Sequence, residues 1–133
     1  MSYTYDPNNR LATKIDAKNQ KVRYSYDVLG RLYQVQRYPA TSGPEDLCQQ
    51  VNYYHDSALL PGYTNVLGRL AGMQYTGGHC VGGSGGDTIW EVYGYTAPGQ
   101  PSGKAFQVIR GSAAATLQGT WSYDNEGRIT SVG

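Results

Sequence analysis

His55, Asp56 and Ser57 are the three side-chain types of a hydrolase triad, in which a base takes the hydroxyl proton and an acid orients the base. Here they are consecutive, and neighbours along a strand project to opposite faces, so they do not converge on a substrate. His55 reads as a substitute for an aromatic residue, and Asp56 as a turn residue. Asp6, Asp27, Asp56 and Asp124 could form a row of carboxylates that attracts calcium. Calcium wants about six to eight oxygens on one point, whereas a row offers one carboxylate per site, so turn capping is the expected role. GGSGGD at 82–87 is as rich in Gly as a phosphate-binding loop. It lacks the Lys and Ser or Thr that complete such a loop and opens no helix, so it is expected to be a flexible linker. No catalytic residue, cofactor or metal is expected from these stretches.

The elements that would carry them are written as a repeat. YTYDPNNRL at 3–11, YSYDVLGRL at 24–32 and WSYDNEGRI at 121–129 are variants of one sentence. Another copy, Tyr53-Tyr54-His55-Asp56, is separated from its Gly68-Arg69-Leu70 by an inserted SALLPGYTNVL; a further, degenerate one pairs Tyr93-Gly94-Tyr95-Thr96 with Gly103-Lys104-Ala105-Phe106. Each unit predicts a β-hairpin. Two aromatics two residues apart share one strand face, Asp6, Asp27, Asp56 and Asp124 accept hydrogen bonds from turn amides, and Gly30, Gly68 and Gly127 supply positive φ. Asn9 takes the Gly place in the first unit, as the next best residue for a left-handed position. Arg10, Arg31, Arg69 and Arg128 open the returning strand, where each can pair with its Asp. The whole chain, 1–133, is expected to be a single module of about five hairpins, at 3–16, 24–38, 51–75, 90–108 and 121–132. Hairpin tips should lie along one edge of a sheet, and the linkers PATSGPEDLCQQ and TGGHCVGGSGGD along the other.

Composition agrees with an all-β fold of consecutive antiparallel hairpins in a twisted, curling sheet. There are 18 Gly and 13 Tyr against a single Phe, with only 16% charged residues. Tyr suits a half-buried pleated surface whose hydroxyls reach the wet edge. The net charge of +1 is scattered and forms no basic stripe, which argues against nucleic acid. No stretch approaches the roughly 20 apolar residues of a membrane span. MSYTYDPNNR has no apolar signal-peptide core, so any export signal lies outside this segment.

The aromatic-x-Tyr-Asp-x-x-Gly-Arg-Leu unit, traced from Tyr3 to Val132, closely resembles the YD-repeat, or RHS-repeat, family. Its members include bacterial RHS polymorphic toxins, cocoon-forming components of insecticidal toxin complexes, and animal teneurins. The resemblance implies a secreted or cell-surface protein whose hairpins join into a spiralling shell, which in some members encloses a toxin domain. Bacterial members carry an aspartyl self-cleavage motif built around Asp-Pro and Gly-Leu. Asp6-Pro7 is followed by Asn8-Asn9 inside an ordinary repeat, so the protease is not carried over. About ten strands is near the limit of one open sheet, so the chain is expected to be a fragment of a longer shell or a unit that completes its wall by self-association. Its partners would be neighbouring repeats or copies paired through sheet edges, with an encapsulated toxin domain or glycans as further candidates.

Cys48 and Cys80 fall in the two linkers, on one predicted edge, and an exported protein lives where disulfides persist. A Cys48–Cys80 bond would close a loop of about 30 residues and contribute on the order of 3 kcal/mol. A metal site with His79 is the alternative, but it is short of ligands because His55 belongs to the opposite edge. The function expected first is structural and non-enzymatic: a stretch of β-sheet wall. The alternative is a carbohydrate-binding or adhesion module in which exposed aromatics such as Tyr24 and Tyr26 stack on sugar rings.

Overall fold

The computed structural model describes residues 1–78, 80–81 and 84–133. The protein is all-β. In chain order its strands are β1 (Ser2–Tyr5), β2 (Leu11–Ile15), β3 (Lys21–Tyr26), β4 (Leu32–Tyr38) and β5 (Val51–His55), then β6 (Leu70–Thr76), β7 (Cys80–Val81) and β8 (Ser84–Gly85). There follow β9 (Thr88–Tyr95), β10 (Pro101–Arg110), β11 (Ala113–Tyr123) and β12 (Ile129–Val132). Ten of them form an open antiparallel sheet in the order β1-β2-β3-β4-β5-β6-β9-β10-β11-β12, and β7 pairs with β8 in a small separate ribbon. Along the sheet each strand lies beside its neighbours in sequence, except that β6 is followed by β9, the simplest product of a hairpin repeat with one insertion. The chain divides into two compact units, Met1–Asn52 with Tyr75–Asp87, and Tyr53–Gln74 with Thr88–Gly133.

In the first unit, period-two strands rich in Tyr, Val and Thr build a meander. Thr4 stands opposite Thr13, their hydroxyls 2.6 Å apart, and Tyr24 stands opposite Val35. The register slips by one residue between Thr4 and Tyr5, and again between Ser25 and Tyr26, just before each turn aspartate. The extra residue sits on the returning strand, Ala12 in the first hairpin and Tyr33 in the second. Beyond β4, residues 39–50 run to a short 3-10 turn, Leu47–Gln49, capped by the Asp46 carboxylate, which accepts from the Cys48 amide at 3.0 Å. Cys48 is bonded to Cys80, with their Cα atoms 5.7 Å apart.

The described part of the Gly-rich stretch is paired rather than free. Ser84 and Gly85 lie against Val81 and Cys80, and Gly77 donates to the Asp87 carbonyl at 2.7 Å. The positive φ of Gly86, +89°, brings its Cα so near Cys80 and Thr76 that a Cβ could not be added. Gly content here permits close packing as well as flexibility, which corrects the linker expectation for these residues.

The second unit holds the best-buried group, Tyr63, Val92 and Ala105, with Leu59, Leu60 and Trp90 packed against it. Tyr63 and the two leucines belong to the segment inserted in the third hairpin. That insert folds back over the face of β9 and β10, and Tyr63, only 6% exposed, lies on the glycine pair Gly94 and Gly103, which stand opposite each other in register. A Cβ on Gly94 would meet the Tyr63 Cα at 3.1 Å, and one on Gly103 the Tyr63 ring at 3.2 Å. Here an aromatic ring covers two glycines that would otherwise leave the sheet thin.

Candidate functional site

The recurring feature is a five-residue turn organised by one carboxylate. In the second unit of the repeat, the Asp27 amide donates to the Arg31 carbonyl and the Gly30 amide to the Asp27 carbonyl, both at 2.9 Å. Asp27 Oδ1 accepts from the amides of Leu29 and Arg31, each at 2.9 Å, while Oδ2 accepts from Arg31 Nε at 2.8 Å. Gly30, at φ +82°, reverses the chain. The same bonds recur at Asp6 with Asn8, Asn9 and Arg10, and at Asp124 with Glu126, Gly127 and Arg128. Asn9 stands at φ 59° in the glycine place. Asp56 closes a longer loop: its Oδ1 accepts from the Gly68 amide at 2.7 Å, and its own amide donates to the Arg69 carbonyl.

These bonds hold the carboxyls of Asp6 and Asp27 below the ordinary value of 3.8, chiefly through the backbone amides of Arg10 and Arg31, with partial desolvation opposing. The Asp124 carboxyl is also lowered, first by the Arg128 guanidinium and then by the Arg128 amide. Each of these carboxylates is committed to its own turn, and among the described residues no group of three or more His, Cys, Asp or Glu could hold a metal ion. His79 lies outside the described residues. The His55 carbonyl accepts from the Ser57 amide at 2.8 Å, a local turn bond.

Two turns of this design are not apparent from the full motif. At 16–20 the Asp16 carboxylate accepts from the amides of Lys18 and Gln20, with Asn19 at φ 61°. At 96–100 the Thr96 hydroxyl accepts from the Gln100 amide at 3.1 Å, with Gly99 at φ +102°. The turn glycine of the degenerate repeat is therefore Gly99, and Gly103 belongs to the Tyr63 contact. The reduced signature, Asp or Thr, then Gly or Asn three residues on, then Arg or Gln, identifies all of these turns except the interrupted third; the Tyr and Leu of the longer motif serve something else.

That other role is to join one hairpin to the one before it. Tyr26 donates its hydroxyl to the Leu11 carbonyl at 2.9 Å, Tyr95 to the Leu70 carbonyl at 2.9 Å, and Tyr123 to the Pro101 carbonyl at 2.6 Å. In each case the acceptor is the residue after the Arg or Gln of the preceding turn. The Arg10 guanidinium lies 4.7 Å above the Tyr26 ring, and that of Arg69 lies 5.5 Å from the Tyr95 ring. The turn glycine completes the fit: a Cβ on Gly30 would meet Arg10 Nη1 at 3.1 Å, one on Gly99 would meet Arg69 Nη2 at 2.8 Å, and one on Gly127 would meet Gln100 Nε2 at 2.8 Å. Two aromatics two residues apart thus have different duties. The second reaches back to the hairpin before it, and the first takes no part in that bond.

Tyr24 and Tyr26 border an open depression of about 600 Å³ in the first unit, together with Arg23, Tyr33 and Tyr38. Tyr26 is occupied by Arg10 and Leu11, and the Lys21 ammonium lies 4.0 Å above the Tyr38 ring.

An open sheet of hairpins, most closed by a buttressed aspartate and three joined to the hairpin before by a tyrosine, has the form of a repeat-built protein. Residues 3–42 match the family model described as RHS Repeat, which supports membership of the RHS-repeat, or YD-repeat, family. The RHS repeat is a structural rather than a catalytic family, and proteins that carry it are typically extracellular or at the cell surface. No curated protein matches the chain. Among the described residues no helix is long and apolar enough to cross a membrane.

Proposed function

We propose that this chain is a non-enzymatic wall module, a stretch of RHS-repeat sheet that builds an enclosure or assembly as part of a larger secreted toxin or surface protein, or by associating with copies of itself. The observation that carries this reading is the tyrosine joint, made once in the first unit by Tyr26 and twice in the second by Tyr95 and Tyr123. It makes one hairpin the docking surface for another, a contact that can be repeated as a sheet lengthens. Sheet edges supply the association. Residues 113–119 of β11 pair on one side with β10, carry no charge, and lie beyond the reach of β12, and an uncharged free edge is a template for another strand. Light scattering after size exclusion tests the reading. Concentration-dependent growth is expected, and a chain that stays monomeric while well folded counts against it.

A carbohydrate-binding or adhesion role is the second reading, favoured by the open depression with Tyr24 and Tyr33 on its rim. Aromatic faces beside polar groups suit sugar rings. A glycan array with Tyr24→Ala and Tyr26→Ala variants separates the readings: lost retention on a folded Tyr24→Ala variant supports binding, and no retention by the parent chain removes it.

A further inference from the structure

The tyrosine joint has two halves, and β1 and β12 each present one of them without its counterpart among the described residues. On β1, Tyr5 occupies the position of Tyr26, Tyr95 and Tyr123, directly before the turn aspartate and opposite the first residue of the returning strand, Leu11. Its ring is 60% exposed, and its hydroxyl has no protein partner among the described residues. At the other end Ile129 stands opposite Tyr123, as Leu11 stands opposite Tyr5 and Pro101 opposite Tyr95. The Ile129 carbonyl therefore holds the acceptor place, and the Arg128 guanidinium, 72% exposed, holds the place of Arg10 and Arg69. Among the described residues no aromatic ring covers it.

We infer that β1 and β12 are complementary faces of one head-to-tail joint, and that each docks a second copy of this chain: Tyr5 of one copy donates to the Ile129 carbonyl of another and lies under its Arg128. The inference rests on the wall reading and names the contact through which that wall grows. The occupant is argued from complementarity, since the same geometry is realised at Tyr26, Tyr95 and Tyr123 with the chain's own hairpins. The joint is heterologous, so it extends into a ring or filament instead of stopping at a two-fold dimer. Asn9 tunes it. In the internal joints the residue at this place is Gly, packed on the preceding Arg or Gln; at the first turn an Asn side chain obliges the incoming guanidinium to shift, a small displacement for the far end of a flexible side chain.

Sedimentation velocity over a range of concentrations, on the full chain, tests this with four variants. Tyr5→Ala is expected to lose association, Arg128→Ala to weaken it several-fold, and Asn9→Gly to tighten it. Tyr33→Ala, exposed but in the middle of the first unit, should leave association as it was. With p-benzoylphenylalanine in place of Tyr5, illumination of the associated protein should give a cross-link between residue 5 of one copy and the 121–133 segment of another. Association unchanged in Tyr5→Ala, or cross-links formed elsewhere, would overturn the joint while leaving the wall reading intact. A parent chain monomeric at every concentration would overturn both. Circular dichroism melts confirm that each variant is folded, so that a lost assembly is not a lost fold.

Discussion

At the scale of single residues, the turn aspartate has the most work to do. Asp27 accepts from two backbone amides and a guanidinium, yet its ion pair with Arg31 is partly exposed and of a kind that contributes little. The amide bonds matter more, because they hold the tip in one conformation. Replacement of Asp27 by Ala should therefore lower the urea midpoint of unfolding, and Asp27→Asn, which keeps an acceptor oxygen, should lower it by well under half as much. The sign of the pH dependence follows from the lowered carboxyls of Asp6, Asp27 and Asp124. The unfolded chain binds protons more readily than the folded one, so these groups add stability above their ordinary value of 3.8, and the contribution is lost as pH falls through the lower folded values. Thermal melts followed into that acid range should show a shallower fall for Asp27→Asn than for the parent; parallel curves would count against the assignment. Gly30→Ala meets both a φ of +82° and the neighbouring Arg10, and should cost about 1–3 kcal/mol in the same unfolding experiment.

At the scale of elements, strands and turns were legible because a hairpin is a local object. Its signals lie within nine residues, and the substitutions Gly to Asn and Leu to Ile keep the backbone and packing requirements. The tyrosine joint was not legible in the same way. Tyr24 and Tyr26 alternate as a strand should, and nothing within the nine residues marks which of the two rings reaches Leu11. Tyr95→Phe and Tyr123→Phe each remove one hydroxyl bond to a backbone carbonyl and should lower stability by about 0.5–1.5 kcal/mol each, nearly additively if the joints act independently. The inserted loop was the least legible element. Read as an interruption, it in fact supplies Tyr63, Leu59 and Leu60 to the best-buried cluster. Gly72→Ala would drive a methyl into the Glu91 carbonyl and Leu59, and should destabilise the second unit by about 1–3 kcal/mol or more, measurable by hydrogen exchange at β9.

At the scale of the whole molecule, the Cys48–Cys80 bond joins cysteines 32 apart in sequence, one in each linker, within the first unit. Closing such a loop restricts the unfolded chain, so reduction should lower the stability of that unit by about 3–4 kcal/mol. Unfolding with and without reductant, alongside mass measurement after alkylation, checks this; two free thiols in the untreated protein would remove the bond. Sequence alone determined the all-β class, the hairpin period and the residues that reverse the chain, because propensity, φ and side-chain capping act over a few bonds. Tertiary structure decided which hairpin each tyrosine grips and which glycines lie under Tyr63. Those are contacts between residues distant in sequence, and they form only once the strands have paired.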